Sequence, residues 1–142
     1  MKENNEIILE FGSQSENESL ARVVVSAYMT RLDPTIEELA DVKTAVSEAV
    51  TNCVIHGYPD APGNIQMKCK LDDNVLYIEV TDHGVGISDI EKAMEPLYTT
   101  RPEMERSGMG FAFMEAFMDE LEVISVPGEG TTVKMNKKIG SH

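Results

Sequence analysis

Ile65-Gln-Met-Lys-Cys-Lys-Leu71, Asp72-Asp-Asn74 and Val75-Leu-Tyr-Ile-Glu-Val-Thr81 are the stretches that decide the fold. Ile65, Met67, Cys69 and Leu71 alternate with Gln66, Lys68 and Lys70, the period-two pattern of a half-buried strand. The acid-and-amide triplet turns the chain, and Val75 to Thr81 is the partner strand. Strands joined by so short a turn run antiparallel, which excludes an all-parallel sheet. Near the C-terminus, Leu121 to Val126 and Thr131 to Lys137 form a second hairpin across Pro127-Gly-Glu-Gly130.

Outside the hairpins the pattern changes. Ile7 to Phe11 is a short apolar run, read as a first strand. Ser15 with Glu18 has the spacing of a capping box. Leu20, Val23, Val24, Ala27, Tyr28 and Leu32 recur behind it at helical spacing, and Asp33-Pro34 ends that helix. Thr35 with Glu38 repeats the box and opens a second helix to about Gly57, with Ile36, Leu39, Val42, Val46, Ala49, Val50, Cys53 and Val54 as its stripe. Residues 58–64 are a Pro- and Gly-rich loop. Ser88 with Glu91 predicts a short helix, 95–106 a mobile loop, and Gly108 to Met118 a helix crowded with Met and Phe. The order predicts an α+β fold, one domain over 1–142, with a mixed, mostly antiparallel sheet and helices layered on one face.

The chain carries a formal charge of −13. That argues against nucleic acid, whose phosphates need a Lys/Arg surplus, and against anionic membrane surfaces. A protein partner with a basic patch is compatible with it. Cys53 and Cys69 form no Cys-x-x-Cys pair and have no His at ligand spacing, so they read as buried free thiols. The charged start is followed by no signal-like apolar run and no segment reaches transmembrane length, so a cytoplasmic protein is expected.

Three short motifs carry the chemistry. Glu48 and Asn52, in Glu48-Ala-Val-Thr-Asn52, are i,i+4 neighbours on one helix face that borders the apolar stripe, with His56 a turn further. Glu48 is a candidate general base toward a hydroxyl, and the Asn52 carbonyl a candidate Mg²⁺ ligand. Alone, so common a spacing is better read as a solvated polar pair. Asp82-His-Gly84-Val-Gly86 follows a strand; Asp82 offers an acceptor to a purine amine, while Gly84 and Gly86 let backbone pass close to a ring. An Asx-type turn explains the same residues about as well. Ser107-Gly108-Met109-Gly110 opens a helix, where free amides favour an anion. A Gly-rich linker is the alternative, and it is neither a Walker A loop nor a Rossmann fingerprint. Thr99, Thr100 and Arg101 offer hydroxyls and a cation, and Arg106 is a candidate for stabilising charge on a transferred phosphoryl group. Glu18 and Arg22 read as an exposed surface pair. Three weak motifs in one order, each on the element its mechanism needs, weigh more than any one alone.

In that order the motifs resemble the N, G1 and G2 boxes of the GHKL superfamily of ATPases and kinases. Ser47-Glu-Ala-Val-Thr-Asn-Cys-Val-Ile-His-Gly57 is similar, more narrowly, to the bacterial anti-sigma serine kinases. Ser15 to Arg22, Pro96 to Glu103 and Glu105 to Phe111 resemble the sporulation branch, the anti-sigma F factors. The resemblance implies a Bergerat fold with an ATP lid, here residues 87–107, ATP/ADP and Mg²⁺ as ligands, and a homodimer. It implies sequestration of a sigma factor of the sigma F type, and ATP-dependent phosphorylation of a serine on an anti-anti-sigma factor. A stress-response anti-sigma serine kinase, or a nucleotide-gated module that sequesters sigma with little catalysis, are the alternatives. Residue by residue, Glu48 matches the catalytic base, Asn52 the Mg²⁺ ligand, and Asp82 with Gly84 and Gly86 the adenine site. Arg106, Gly108 and Gly110 match the phosphate-contacting segment, Thr131 the residue backing the adenine site, and Arg22 with Glu18 the partner-binding surface. Cys53 departs from the family, which often has Ala there.

Overall fold

The computed structural model describes residues 5–59, 61–87 and 110–140. The expected short helix after Ser88, the 95–106 loop and most of the 87–107 lid lie outside them. Five strands, β1 (Glu6–Gly12), β2 (Asn64–Asp72), β3 (Val75–Asp82), β4 (Glu120–Val126) and β5 (Gly130–Lys138), form one sheet in the order β1-β2-β3-β5-β4. All four pairings are antiparallel. Both hairpins stand where the sequence puts them, and the tight turn between β2 and β3 places Asp73 at φ 55°. Asp is one of the few residues that tolerate this left-handed region.

One sheet face is apolar. Ile65, Met67 and Cys69 on β2, Ile78 and Val80 on β3, and Val133 on β5 are all buried. The opposite face is solvated, and the register makes it self-complementary: Lys68 faces Glu79, Glu79 faces Lys134, and Lys134 faces Glu122. Only modest energy comes from such pairs, tenths of a kcal/mol each. Burial on the other face, at about 1.5–3 kcal/mol per large apolar side chain, is what holds the layers together.

Helices α1 (Asn17–Met29), α2 (Ile36–Asn52) and α3 (Gly110–Phe117) contribute to that layer. α2 is flanked by α1 and α3. The capping box of α2 is formed: Thr35 Oγ1 accepts from the Glu38 amide at 3.0 Å, and Glu38 Oε1 accepts from the Thr35 amide at 2.9 Å. The box expected at Ser15 and Glu18 is not; Glu16 stands at the N-cap of α1 without a side-chain cap. Glu18 instead turns toward α2, where it accepts the hydroxyl proton of Ser47.

The buried face of α1 also differs from the expected stripe. Ala21, Val25, Tyr28 and Met29 are buried, while Leu20 is 44% and Val23 66% exposed. Residues 20–29 are apolar almost all round, so periodicity alone does not choose a face. Small Ala21 faces the core and lets the helices approach, and the Glu18–Ser47 bond fixes the rotation. A 3-10 turn (Thr30–Leu32) follows, stopped by Asp33 at φ 52°.

The second helix does not continue to Gly57 as an α-helix. It changes at Asn52 into a π-turn over Cys53–Gly57, closed by the Tyr58 amide donating to the Cys53 carbonyl at 3.1 Å. π-turns inside or at the end of helices are often found at functional sites. α3 is anchored at its other end, where Lys137 Nζ donates to the Phe117 carbonyl at 2.7 Å and lies 3.9 Å from Asp41 of α2.

Candidate functional site

β3 carries an acid on its apolar face. The alternation Leu76, Ile78, Val80 puts Asp82 at the next inward position. Its residue is 1% exposed. A carboxylate there is costly unless its oxygens are satisfied. Oδ1 accepts the Gly84 amide at 2.9 Å. Oδ2 is buried and has no hydrogen-bond partner among the described residues. Burial pushes the Asp82 carboxyl above the usual range; the Gly84 amide, the Cys53 thiol, the Thr131 amide and His83 oppose that push. The buried Cys53 thiol beside it is raised well above its ordinary value, by burial first and then by the Asp82 charge.

Glycines close the space around this acid. A Cβ on Gly57 would stand 2.9 Å from Asp82 Cγ and Oδ2. One on Gly84 would stand 1.8 Å from the Gly57 carbonyl oxygen, and one on Gly130 2.1 Å from the Asp82 carbonyl oxygen. Gly86 adopts φ +77°, open to glycine and strained for other residues. The segment from 83 to 87 is tied on both sides. Val85 donates to the Gly57 carbonyl at 2.9 Å, and Gly128 of the β4–β5 turn donates to the Val85 carbonyl at 2.7 Å.

Thr131 lies opposite Asp82 in the β3–β5 register and is 4% exposed. Its hydroxyl is 2.8 Å from that of Ser125 on β4. Ser125 spends its one proton on the Gly130 carbonyl at 3.0 Å, so Thr131 is the donor between the two hydroxyls. Ser125 Oγ also accepts the Ile87 amide at 2.6 Å. Sequence reasoning missed Ser125. The available signal was a polar residue at an inward position, after Leu121 and Val123. It also missed Gly57 and Tyr58, and it read Cys53 as a plain core thiol.

Glu48 and Asn52 sit on the last turns of α2, both half-buried. Asn52 directly precedes Cys53, so the π-turn links this pair to the Asp82 cluster. Gly110 is the first residue of α3, which packs against α2. Thr99, Thr100, Arg106, Ser107, Gly108 and Met109 lie outside the described residues. Glu18 and Arg22 are not the open surface pair the sequence predicts. Glu18 is bonded to Ser47, and Arg22 Nε, 3.5 Å from Glu18 Oε1, is itself buried, leaving the outer guanidinium to reach Ser19.

The cluster offers a buried, ionisable acceptor with one oxygen unpaired among the described residues, and glycine backbone packs closely around it. Among the described residues no group of three or more His, Cys, Asp or Glu is gathered for a metal. The Asn52 side-chain carbonyl is a hard oxygen of the type Mg²⁺ accepts.

Comparison with known proteins places the chain and its fold. Residues 11–137 match the histidine kinase-like ATPase domain family. An anti-sigma F factor of Thermoanaerobacter sp. (strain X514) is 61% identical over 141 residues, 99% of each chain. Those of Clostridium acetobutylicum and Bacillus velezensis are 56% and 50% identical, over 94% of each chain for the former and over 95% of this chain and 93% of the relative for the latter. Among solved structures, the RsbU and RsbW domains of a Mycobacterium tuberculosis protein match with a TM-score of 0.69 at 20% identity, covering 94% of this chain and 32% of that one. At that identity the likeness shows the fold alone, and it is the same α+β, GHKL-type fold. No helix among the described residues is long and apolar enough to cross a membrane. With one domain family matched over most of its length and full-length relatives at half identity or better, the chain belongs to the anti-sigma F factors of the histidine kinase-like ATPase family.

Proposed function

We propose that this protein is an ATP-dependent protein-serine kinase that phosphorylates an anti-anti-sigma factor, and that it also binds and inhibits a sporulation sigma factor of the sigma F type. The observation that carries the nucleotide part is Asp82 Oδ2, a buried acceptor without a hydrogen-bond partner among the described residues, in a turn packed by glycine backbone. An unsatisfied buried acceptor costs about 1–3 kcal/mol, a cost an adenine exocyclic amine would remove. The partner assignments come from the family.

In this reading Asp82 accepts from the amine, Gly84 and Gly86 let the backbone beside the adenine site pack closely on Gly57 and Val126, and Thr131 backs the site. Asn52 gives its carbonyl oxygen to the metal side of the phosphates. Bound Mg²⁺ neutralises phosphate charge during transfer. Glu48 accepts the proton of the incoming serine hydroxyl. Gly110 begins the helix whose free amides face anionic oxygens. Thr99, Thr100, Arg106, Ser107, Gly108 and Met109 take their phosphate-contacting roles from the resemblance alone. The same source supports a homodimer and one domain over 1–142.

On α1, the outward Leu20 and Val23 beside the Arg22 guanidinium support a partner-binding surface with Glu18 behind it. Arg22→Glu should weaken binding of both sigma factor and anti-anti-sigma factor by tenfold or more in calorimetry, on the scale of truncating an interface arginine. Unchanged affinity for both would remove α1 as the shared surface.

The deciding experiment mixes the protein with Mg-ATP and the anti-anti-sigma protein and reads intact mass. One added phosphate on serine, lost in Glu48→Ala with ATP binding retained, is the expected result. Full phosphorylation by Glu48→Ala would remove Glu48 as the base. No phosphate despite ATP binding would move the reading to nucleotide-gated sequestration.

A further inference from the structure

Tyr58 follows the π-turn and closes a gap between two strands. Its hydroxyl donates to the Asn64 carbonyl at 2.6 Å and accepts the His83 amide at 2.7 Å. The β2–β3 register pairs Ile65 with Asp82, so the next pair in the ladder would be Asn64 with His83. The hydroxyl thus stands between a carbonyl and an amide that the ladder would otherwise join directly. Its ring lies over Gly63, where a Cβ would meet it at 2.1 Å.

The wedge has a consequence for Asp82. Spreading the strands at His83 turns the chain out of the sheet directly after the carboxylate. Gly84 can then fold back, donate to Asp82 Oδ1 at 2.9 Å, and pack on the Gly57 carbonyl. Were His83 bonded straight to Asn64, the strand would run on and Oδ1 would lose that amide. The aim of Oδ2 depends on Oδ1 being held.

We propose that Tyr58 is a positioning residue for purine recognition: its hydroxyl, placed between Asn64 and His83, sets the turn that holds Asp82 with Oδ2 left unpaired for an exocyclic amine. The inference rests on the nucleotide reading of the Asp82 site.

The test compares ADP with inosine diphosphate, in which a carbonyl replaces the amine, by calorimetry without metal. The wild type should prefer ADP by tenfold or more, since a carboxylate facing a carbonyl loses its bond. Tyr58→Phe keeps the ring and removes the hydroxyl. ADP affinity should fall about five- to tenfold, and the preference over inosine diphosphate should shrink at least threefold. A merely structural role would lower both affinities alike and leave the ratio unchanged. If the wild type binds both nucleotides equally, the Asp82 reading fails and this inference with it. If the wild type discriminates and Tyr58→Phe discriminates equally, this inference alone is overturned. Amide exchange in the wild-type chain gives a test independent of the variant's folding. The His83 amide, on an exposed residue, should exchange at least tenfold more slowly than an unprotected amide; an unprotected rate overturns the proposal.

Discussion

Replacing Gly84 by Ala asks whether close backbone approach builds the site. The added Cβ would stand 1.8 Å from the Gly57 oxygen, 2.4 Å from its carbonyl carbon and 2.9 Å from its Cα. All three atoms are backbone, so no side chain can swing aside. To reach ordinary contact the two segments must part by roughly 1.5 Å or more. That breaks the Val85 to Gly57 bond, 2.9 Å, and pulls the Gly84 amide from Asp82 Oδ1, also 2.9 Å. The first is worth about 1 kcal/mol and the second, to a carboxylate, about 1.5–3 kcal/mol. A loss of roughly 3 kcal/mol leaves a domain of ordinary stability folded. The urea midpoint should drop by roughly 1–3 M. ADP affinity should fall by about tenfold to a hundredfold, since the carboxylate loses its aim. Gly128→Ala is the control. Gly128 has φ +83° but nothing near its would-be Cβ, so it should cost about 1–2 kcal/mol of strain and leave ADP binding alone. If Gly84→Ala binds ADP within threefold of wild type and unfolds at the same urea concentration, the close approach does not build the site.

Two further outcomes follow from the buried ionisable groups. The Asp82 carboxyl lies above its ordinary range through burial, so it protonates earlier as pH falls. ADP affinity should decline on acidification through a midpoint above the model-peptide value of about 3.9, and be nearly flat there in Asp82→Asn; a wild-type affinity constant from pH 7 to pH 4 would count against the carboxylate. The stability of the empty protein has the opposite sign, because a raised carboxyl pKa favours the fold in its protonated form. That contribution is complete below the unfolded-state value and is lost as pH rises through the folded one, so Asp82→Asn should raise the urea midpoint at neutral pH. Both thiols are buried and held protonated, Cys69 pushed up to about 12 by burial. Neither should react with a thiol reagent at pH 8 until urea opens the chain, and rapid native labelling of either would contradict their burial.

The sheet was legible because alternation and turn chemistry are local. Asp72-Asp-Asn74 and Pro127-Gly-Glu-Gly130 each turn the chain between runs that alternate, and nothing distant contradicts them. The Thr35 box was legible for the same reason. The face of α1 was not. Leu20 and Val23 are as apolar as Val25 and Met29, and the choice between stripes lies with a contact to Ser47, 29 positions from Glu18. The expected Ser15 box is absent because α1 starts one residue later than that box needs, with Glu16 at the N-cap, while Glu18 turns to Ser47. The π-turn was hidden as well. Cys53 and Val54 keep an apolar period through the change of hydrogen bonding, and periodicity does not register which carbonyl an amide selects.

For the site, Asp82 and its glycines could be found as types but not as a cluster. Gly57, Gly84 and Gly130 come from a π-turn, a strand exit and a hairpin, and each lacks a Cβ that would strike the Asp82 turn or its neighbours. Glycine costs folding entropy, roughly 0.5–1 kcal/mol relative to alanine inside a helix or strand, but at a close approach or a positive φ alanine costs more. Close packing needs glycine at these three positions, and the carboxylate they surround is itself unfavourable to bury. That burial is not fully offset, since Oδ2 stays unpaired among the described residues. A bound donor would pair Oδ2. Occupancy should therefore stabilise the fold by mass action, and the shift should appear in the Asp82 turn before it appears in the outer sheet face, whose charge rows are already paired.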